Sequence, residues 1–436
     1  MKPKINLQVA GMIMAILMMQ ILFSCVGETP KNHGETGPPN SNLQDDDLSD
    51  DDGANAPDDD FSDDDTGSNI PPEPFDPSQY GPYPVANRTL IYVDEDRWDV
   101  TLRDWRALLV EVWYPAEDKS KALPRDIIRK FLNGWDEPIL SIFRLLGVTP
   151  EEIDNFDRAT RSARNPRIRI DHAPYPMVLF SHGNAGLRFQ DYTMCEYLAS
   201  QGYVVIAPDH TGNAVFVTFP DKLVIYNFLM MPYAFIDRQK DIMFLIDKFE
   251  ELNQNDPEGF FTGMLDTTKI GVIGHSYGAA TAQEVVKWDK RISAAVGFAG
   301  PQVPILPQGF DTPIMTMIGL EDHTMHDYEF LIRLNYEMRP PPKLMLEFIN
   351  GGHYTFTDAC ILVPTLFGEG DGCGSNTRFD NGEEFDYISH DLAFEIIDTY
   401  VTAFLGAYVK NQDSMVDYLK VDMHPEEVIY DRDLGD

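Results

Sequence analysis

A short segment around residue 276 has the residue types of a nucleophilic site. Residues 274–278 read Gly-His-Ser-Tyr-Gly, a Gly-x-Ser-x-Gly pattern that can expose a serine hydroxyl at a sharp turn. A serine hydroxyl is a weak nucleophile until a general base removes its proton and a third group orients that base. Because the pattern also occurs in ordinary turns, Ser276 is a candidate nucleophile only if the chain supplies both partners.

Five of the ten histidines follow Ser276 in the chain, and one of them stands where a general base is needed. The five are His323, His326, His353, His390 and His424. His353 follows two glycines after the apolar run 343–351, a position from which a loop can bring an imidazole to the nucleophile. The first two lie too close to the candidate acid, and the last two lie in or beyond a C-terminal helical segment. The sequence therefore predicts His353 as the base.

The loop after the apolar run 313–320 offers the acid. We predict Asp322, because a Gly-x-Glu-Asp loop directs its aspartate inward more often than its glutamate. Glu321 is the first alternative, and Asp311, which precedes the same strand, is the second. The acid is expected to stay ionised, so that it fixes the imidazole tautomer and stabilises the imidazolium.

Two main-chain N–H groups are needed to stabilise the anion that forms when a serine attacks a carbonyl carbon. Tyr277, which follows the candidate nucleophile, is expected to supply one. The segment Ser-His-Gly-Asn-Ala-Gly (181–186) is expected to supply the other, since its two glycines let the backbone approach a substrate closely. We assign this second donor to Asn184, and we predict that His182 shapes the loop and is not the base.

A regular scaffold must hold these residues, and the spacing of apolar residues predicts one. Short apolar runs that end in polar residues or glycine alternate with stretches of helical spacing. The apolar runs are 88–95, 106–116, 175–183, 202–210, 269–276, 292–300, 313–320 and 343–351, and the helical stretches are 189–201, 239–253 and 278–289. This alternation predicts an α/β fold with a mostly parallel, doubly wound sheet and helices on both faces. Ser276 would lie at the carboxyl end of a strand, where such sheets place their sites.

Four segments together resemble a known family. They read PMVLFSHGNAGLRFQDY (176–192), LASQGYVVIAPDHTGN (198–213), GVIGHSYGAAT (271–281) and GGHYTFTD (351–358). They look like the α/β-hydrolases of the dienelactone hydrolase and platelet-activating-factor acetylhydrolase group, to which cutinase-type polyester hydrolases are close relatives. The resemblance covers roughly residues 85–410. It implies the α/β-hydrolase fold and hydrolysis of carboxylic esters without a metal or an organic cofactor.

The N-terminal eighty residues differ from the rest of the chain. Residues 1–24 are predicted to be a lipoprotein signal peptide, because two lysines precede an apolar run that is too short to span a bilayer. The run ends at Leu-Phe-Ser-Cys, which resembles a bacterial lipobox, so Cys25 is predicted to carry lipid. Residues 25–80 contain sixteen acidic residues and one lysine, a composition that predicts a disordered acidic tether.

Residues 81–436 are predicted to form one catalytic domain with a helical insertion at about 118–165. The hydrophobic share of the chain, 43%, is enough for one large core. The net charge of −37 argues against nucleic acid as a partner, because phosphate backbones need a basic surface. The chain lacks the Cys-x-x-Cys and His-Glu-x-x-His patterns, so no metal site is predicted.

The cysteines predict one disulfide bond. Cys360 and Cys373 bracket a single loop just after His353, and in an oxidising compartment we expect them to pair. Closing this loop would stabilise the fold by about 3 kcal/mol through chain entropy. Cys195 lies in an apolar helical stretch and is expected to be a buried free thiol.

Two further features have an ordinary structural interpretation. The segment 215–235 is rich in methionine and aromatic residues, and core packing is favoured over an acyl pocket or a lipid contact. Arg238 and Asp241, three residues apart in a helical stretch, are predicted to form an ion pair.

The combined hypothesis is a monomeric serine ester hydrolase, anchored by lipid to the bacterial cell envelope or secreted, that acts on small or short-acyl esters. A cutinase-like polyester or lipid hydrolase is the alternative within the same chemistry. An alternative of another class is a surface-displayed binding protein on an inactive hydrolase scaffold.

Overall fold

A computed structural model describes residues 73–300 and 311–435 of the chain. Fifteen strands are assigned in these residues, eleven of them in one sheet. The strands are β1 (Val85–Asp99), β2 (Asp104–Pro115), β3 (Arg125–Ile127), β4 (Ala159–Arg164), β5 (Tyr175–Ser181), β6 (Val204–Asp209), β7 (Phe216–Thr218), β8 (Leu223–Ile225), β9 (Leu265–His275), β10 (Ile292–Phe298), β11 (Ile314–Gly319), β12 (Lys343–Phe348), β13 (Ser375–Thr377), β14 (Glu384–Asp386) and β15 (Val428–Asp433).

The large sheet has the strand order β15-β12-β11-β10-β9-β5-β6-β2-β1-β4-β3. Its six central strands, from β12 to β6, run parallel to one another. Antiparallel β15 lies beyond β12, and the antiparallel pair β2 and β1 lies beyond β6. The remaining four strands form two small hairpins, β7–β8 and β13–β14.

Ten α-helices are assigned among the described residues. They are α1 (Asp136–Leu145), α2 (Pro150–Asp154), α3 (Tyr192–Ser200), α4 (Met231–Asn255), α5 (Tyr277–Val285), α6 (Glu329–Glu337), α7 (Ala359–Leu362), α8 (Pro364–Phe367), α9 (His390–Tyr408) and α10 (Asp413–Leu419). None of the helices in 73–300 or 311–435 combines the length and the apolar character that crossing a bilayer requires.

The apolar runs become strands because helices cover both faces of the sheet. Every residue of β5, β6 and β11 is buried. On one face, α4 and α5 pack against Ile270 and Val272 of β9 in the main core cluster. On the other face, Gly271 lies against Leu405 and Val409, at the end of α9. The predicted doubly wound α/β fold is therefore confirmed.

The predicted helical insertion at 118–165 is wrong in part. It contains α1 and α2, but it also contributes β3 and β4 to the edge of the large sheet, where β4 pairs with β1 in parallel. Ser162 of β4 is buried and donates a hydrogen bond from its N–H to Glu196, at 2.7 Å. The buried positions of β4 include polar residues, so the segment lacks the alternation of apolar and polar residues that would have predicted a strand.

The predicted boundary between tether and domain also needs correction. Residues 73–80 were assigned to the tether, but Phe75 is buried against Tyr83, with ring centroids 5.6 Å apart. The side chain of Gln201 donates hydrogen bonds to the carbonyl oxygens of Asp76 and Gln79, at 3.0 and 2.6 Å. Glu73 also accepts a hydrogen bond from Lys410, at 2.8 Å, so contacts with the domain begin by residue 73. The predicted signal peptide, Cys25 and the rest of the tether lie outside the described residues.

Candidate active site

The turn around Ser276 has an unusual backbone. Ser276 joins the end of β9 to the start of α5 with φ 55° and ψ −116°, a conformation that L-residues rarely adopt and that costs roughly 1–3 kcal/mol. A Cβ atom on Gly274 would lie 2.3 Å from the carbonyl oxygen of Gly278, and one on Gly278 would lie 1.8 Å from that of Ser181. Only glycine fits at these two positions, so the Gly-x-Ser-x-Gly pattern is a steric requirement of the turn.

The structure brings three predicted side chains into one hydrogen-bonded row. His353 Nε2 lies 3.0 Å from Ser276 Oγ, and His353 Nδ1 lies 2.9 Å from Asp322 Oδ2. Asp322 follows β11 and His353 follows β12, so the carboxyl ends of three parallel strands meet at this point. The other carboxylate oxygen of Asp322 accepts a hydrogen bond from the N–H of Met325, at 2.7 Å, which fixes its orientation.

The electrostatics of His353 suit a base that is held by a carboxylate. Burial of the imidazole disfavours its charged form, but the charge of Asp322 and the hydrogen bond to it outweigh burial. Together with the more distant charge of Asp371, they raise the pKa of His353 above its ordinary value of 6.5. The imidazolium is therefore stabilised where a proton would be received.

The alternative acids and bases have other partners. Glu321 accepts hydrogen bonds from Arg378 and from the N–H of Phe379, at 3.1 and 3.2 Å, and it does not contact His353. Asp311 lies before β11, at the opposite end of that strand from Asp322. The histidines that were set aside also lie in other contacts: His323 on Asn376, His326 on the ring of Phe379, His390 on Asp358, and His424 near Glu427.

The two predicted anion donors have free N–H groups. Among residues 73–300 and 311–435, nothing accepts a hydrogen bond from the main-chain N–H of Asn184 or Tyr277. A Cβ atom on Gly183, beside Asn184, would lie 3.6 Å from Cβ of Ser276, so this turn lies against the nucleophile. Both residues are half-buried. Their role in binding an anion stays a prediction.

A second Ser-His-Asp row lies beneath this turn. Ser181 Oγ is 2.9 Å from His210 Nε2, and His210 Nδ1 is 2.9 Å from Asp241 Oδ2. All three side chains are fully buried, and Ser181 is the last residue of β5. A substrate cannot reach this hydroxyl, so the row is a structural network. Hydrogen-bond geometry alone therefore does not identify a nucleophile.

His275 is a site residue that the sequence analysis did not assign. The N–H of Gly183 donates to Gln190 Oε1, at 3.0 Å, which orients the Gln190 amide so that its NH2 group donates to His275 Nδ1, at 2.9 Å. The proton of His275 is therefore on Nε2, from which it donates to the carbonyl oxygen of His353, at 2.9 Å. Burial, together with the nearby His353, lowers the pKa of His275 well below 6.5, so it stays neutral while it holds the backbone of His353.

Asp371 is the second site residue that was missed. Its Oδ1 accepts hydrogen bonds from the N–H groups of His353 and His323, both at 2.9 Å, and its Oδ2 accepts one from the hydroxyl of Thr324, at 2.7 Å. Burial, and then the charge of Asp322, raise the pKa of Asp371 above its ordinary value. One carboxylate thus joins the loop that carries Asp322 to the loop that carries His353.

Asp371 lies in a loop that a disulfide closes. Cys360 and Cys373 are bonded, with Cα atoms 5.5 Å apart, so the predicted pairing is confirmed. Cys195 is a buried free thiol, as predicted. The disulfide restrains residues 360–373, and through Asp371 it restrains the loops of Asp322 and His353.

Replacing both Cys360 and Cys373 with serine is expected to lower the free energy of unfolding by about 3 kcal/mol, because the open loop gains entropy in the unfolded chain. We also expect kcat to fall, since Asp371 would be less well placed. Urea denaturation and intact mass under non-reducing conditions measure the stability and the bond. Cys195→Ala, which removes a thiol outside the disulfide, is the control. Equal stability of the double variant and the unchanged protein would contradict this role.

The segment 215–235 combines residues packed in a core with apolar residues exposed at the surface. Val217 and Phe219 are buried in a small core cluster, as core packing requires. Farther along, Phe228, Leu229 and Tyr233 are exposed at 54%, 81% and 61%. Core packing therefore accounts for the first part of the segment only.

The predicted ion pair between Arg238 and Asp241 is wrong. Asp241 instead receives two hydrogen bonds from Arg106, at 2.5 and 2.6 Å, and lies 2.8 Å from Arg97. Burial and the charge of Arg106 act in opposite directions on Asp241, and the arginine prevails, so its pKa is well below the ordinary value. Arg106 is 135 residues away along the chain, so spacing on one helix did not predict the pairing.

Two family models match overlapping parts of the chain. The dienelactone hydrolase family matches residues 167–339, and the platelet-activating factor acetylhydrolase, isoform II, family matches residues 77–224.

Within the described parts of the chain, no three His, Cys, Asp or Glu side chains are grouped as metal ligands.

A curated protein and a solved structure illustrate what the chain is similar to. A probable 1-alkyl-2-acetylglycerophosphocholine esterase from Arthroderma benhamiae is 23% identical over 255 residues, which cover 53% of this chain and 60% of that protein. The chain thus spans less than two thirds of the length of that relative. The structure of a ferulic acid esterase from Streptomyces cinnamoneus matches 80% of this chain and 96% of its own, with a TM-score of 0.62 and 24% identity. This likeness shows that the chain has the α/β-hydrolase fold.

Proposed function

We propose that this chain, which has the α/β-hydrolase fold, is a serine carboxylic-ester hydrolase. The observation that carries the proposal is the row in which the His353 imidazole lies between Ser276 Oγ and Asp322, at 3.0 and 2.9 Å, with a serine that is half-buried, whereas Ser181 in the second row is fully buried. The matches to two hydrolase families and to a probable esterase support the same chemistry.

In the first half of the proposed reaction, Ser276 Oγ attacks the carbonyl carbon of the ester while its proton passes to His353 Nε2. The carbonyl oxygen becomes an anion, which the N–H groups of Asn184 and Tyr277 stabilise. When the tetrahedral intermediate collapses, the bond to the alcohol oxygen breaks, and His353 returns the proton to that oxygen. The Asp322 carboxylate orients the imidazole and stabilises the imidazolium throughout.

In the second half, water attacks the carbonyl carbon of the acylated Ser276. His353 accepts one proton from the water, and a second tetrahedral anion forms on the same two N–H groups. Its collapse breaks the bond to Ser276 Oγ, to which His353 donates the proton. The carboxylic acid leaves, and the site returns to its starting state.

The proposed substrates are small or short-acyl esters. The Arthroderma benhamiae relative is named a probable 1-alkyl-2-acetylglycerophosphocholine esterase, and the compound in that name carries a short acyl group. A polyester or lipid substrate is the second candidate, because Phe228, Leu229 and Tyr233 expose apolar surface on the segment that leads to Phe235. The ring of Phe235 lies 6.1 Å from that of Tyr277, so this surface adjoins the site.

A fluorophosphonate probe together with a substrate panel tests the proposal. The probe should label Ser276, and the panel should contain p-nitrophenyl esters of two to sixteen carbons, an acetylated phospholipid, a feruloyl ester and a polyester film. Highest kcat/KM for the short acyl chains supports the first candidate, and release of acid from the film supports the second. Absence of both labelling and hydrolysis would instead favour a binding protein on an inactive scaffold.

The lipid anchor is a separate proposal that rests on the sequence at residues 22–25. We propose that Cys25 is acylated and that the acidic tether holds a monomeric domain away from the cell envelope. Expressed in a bacterial host, the full chain should partition into the detergent phase of Triton X-114, and Cys25→Ser should remain in the aqueous phase. Equal partitioning of the two proteins would contradict lipidation.

A further inference from the structure

We propose that Arg238 is a positioning residue of the oxyanion site. Its guanidinium holds the turn that carries Asn184, contacts the side chain of Tyr277, and places a positive charge behind both N–H donors. This inference rests on the proposed function and extends it to a residue that does not touch the substrate.

Arg238 lies on α4 and is fully buried. Its Nη1 donates to Asn213 Oδ1, at 2.8 Å, and its Nη2 donates to Ser181 Oγ, at 3.2 Å, and to the carbonyl oxygen of His182. Two of these three acceptors, Ser181 and His182, are the residues through which β5 enters the turn. The guanidinium therefore fixes the turn from below at its first two residues.

Asn213 extends this support to the donor itself. Its side-chain NH2 donates to Asn184 Oδ1, at 2.8 Å, and its carbonyl oxygen accepts a hydrogen bond from the N–H of Ala185, at 3.0 Å. Asn184 is thus held by its side chain, and its neighbour is held by the main chain. Since Arg238 orients the amide of Asn213, the position of the Asn184 N–H depends on the guanidinium.

The second donor residue touches the same guanidinium. The Cζ atom of Arg238 lies over the ring of Tyr277, 5.1 Å from its centroid, which is a cation–π contact. One cation therefore contacts Tyr277 directly and Asn184 through Asn213. Within residues 73–300 and 311–435, no other arginine or lysine lies over the Tyr277 ring.

Among the described residues no carboxylate forms a direct ion pair with Arg238, and the charge of the nearby Asp241 only partly offsets the effect of burial on its pKa. Asp241 is instead engaged by Arg106, Arg97 and His210. Its Nε is buried without a hydrogen-bond acceptor. Burial lowers the pKa of Arg238 to about 9, so it remains a cation at neutral pH. An unpaired buried charge is costly to stability. It is useful where an anion develops nearby, because the interior screens charge weakly.

Three substitutions separate the hydrogen bonds from the charge. Arg238→Met removes both, Arg238→Gln keeps donors without the charge, and Arg238→Lys keeps the charge. Arg339→Met is the control, because Arg339 is another buried arginine, which donates to Gln283. Two measurements are made on each folded variant: kcat and KM for p-nitrophenyl acetate, and hydrogen–deuterium exchange of the peptide 182–190.

Loss of one direct oxyanion donor typically lowers kcat by about 100- to 1,000-fold, so an indirect support should contribute less. We expect Arg238→Met to lower kcat by about 10- to 100-fold, with KM changed by less than about threefold. Arg238→Lys should keep more activity than Arg238→Gln, and Arg339→Met should stay within about twofold of the unchanged protein. Exchange in 182–190 should be faster in Arg238→Met than in Arg339→Met.

An unchanged kcat in folded Arg238→Met, or a loss that is confined to KM, would overturn the inference. If that variant does not fold, equal kcat in the lysine and glutamine variants would overturn the role of the charge. The exchange measurement needs no activity, so it tests the positioning role even if the chain hydrolyses no ester. Absence of activity in the unchanged protein would contradict the proposed function instead.

Discussion

Replacing Ser276 with alanine is expected to lower kcat/KM for p-nitrophenyl acetate by about 10⁵- to 10⁶-fold. The variant keeps the oxyanion donors but lacks the oxygen that forms the acyl intermediate, so only a small residual rate over water should remain. Initial rates at matched protein concentration measure the loss, and labelling by a fluorophosphonate should disappear with it. The fold should persist, because the substitution removes one half-buried oxygen atom.

Ser414→Ala is the matched control for this experiment. Ser414 is exposed on α10, so the same chemical change there should leave kcat/KM within about twofold of the unchanged protein. The hydrolysis rate of Ser276→Ala should stay equally low during a long incubation with substrate. Retention of more than a few per cent of the activity in Ser276→Ala would reject this residue as the nucleophile.

The second large effect is expected at Asp322. Asp322→Asn should lower kcat by about 10³- to 10⁴-fold, because a neutral amide neither stabilises the imidazolium nor selects the tautomer with its proton on Nδ1. Glu321→Gln is the control, since Glu321 pairs with Arg378 and does not contact His353. A larger loss in the Glu321 variant than in the Asp322 variant would transfer the role of the acid to Glu321.

The same pair of residues predicts the pH dependence. A general base acts only when it is neutral, so kcat/KM should rise with pH as His353 loses its proton. The pKa of His353 is raised by Asp322, so the midpoint of this rise should lie above pH 6.5. In Asp322→Asn the raising charge is absent while burial remains, so the midpoint should move to lower pH. A midpoint that is the same in both proteins would show that Asp322 does not act on His353.

The main parts of the site could be predicted from the sequence because each lies at the end of an apolar run. Ser276, Asp322 and His353 follow three strands of a parallel sheet, and the topology brings the ends of such strands together. The glycines beside Ser276 mark the turn independently. The positions of these three residues at the ends of parallel strands were therefore enough to predict that they lie close together, although they are up to 77 residues apart in the chain.

The supporting residues could not be predicted in the same way. Asp371 stabilises the site through N–H groups of two other loops, and no local pattern in a Gly- and Asp-containing loop identifies its partners. Asp241, on helix α4, pairs with Arg106, on strand β2, and only the folded arrangement shows that this pair is preferred over the neighbour Arg238. Burial decides these pairings, and burial of a polar residue depends on distant parts of the chain.

The backbone at Ser276 sets a limit on how stable the protein can become without losing its chemistry. Its φ of 55° and ψ of −116° lie in a region of backbone conformation that glycine adopts readily and other residues adopt only with strain. In the proposed mechanism, a glycine at 276 would relieve the strain but remove the nucleophile, whereas the serine keeps the nucleophile in a strained backbone conformation. Stability and the proposed catalysis therefore favour different residues at position 276. Packing of the surrounding sheet must supply the free energy that offsets this strain.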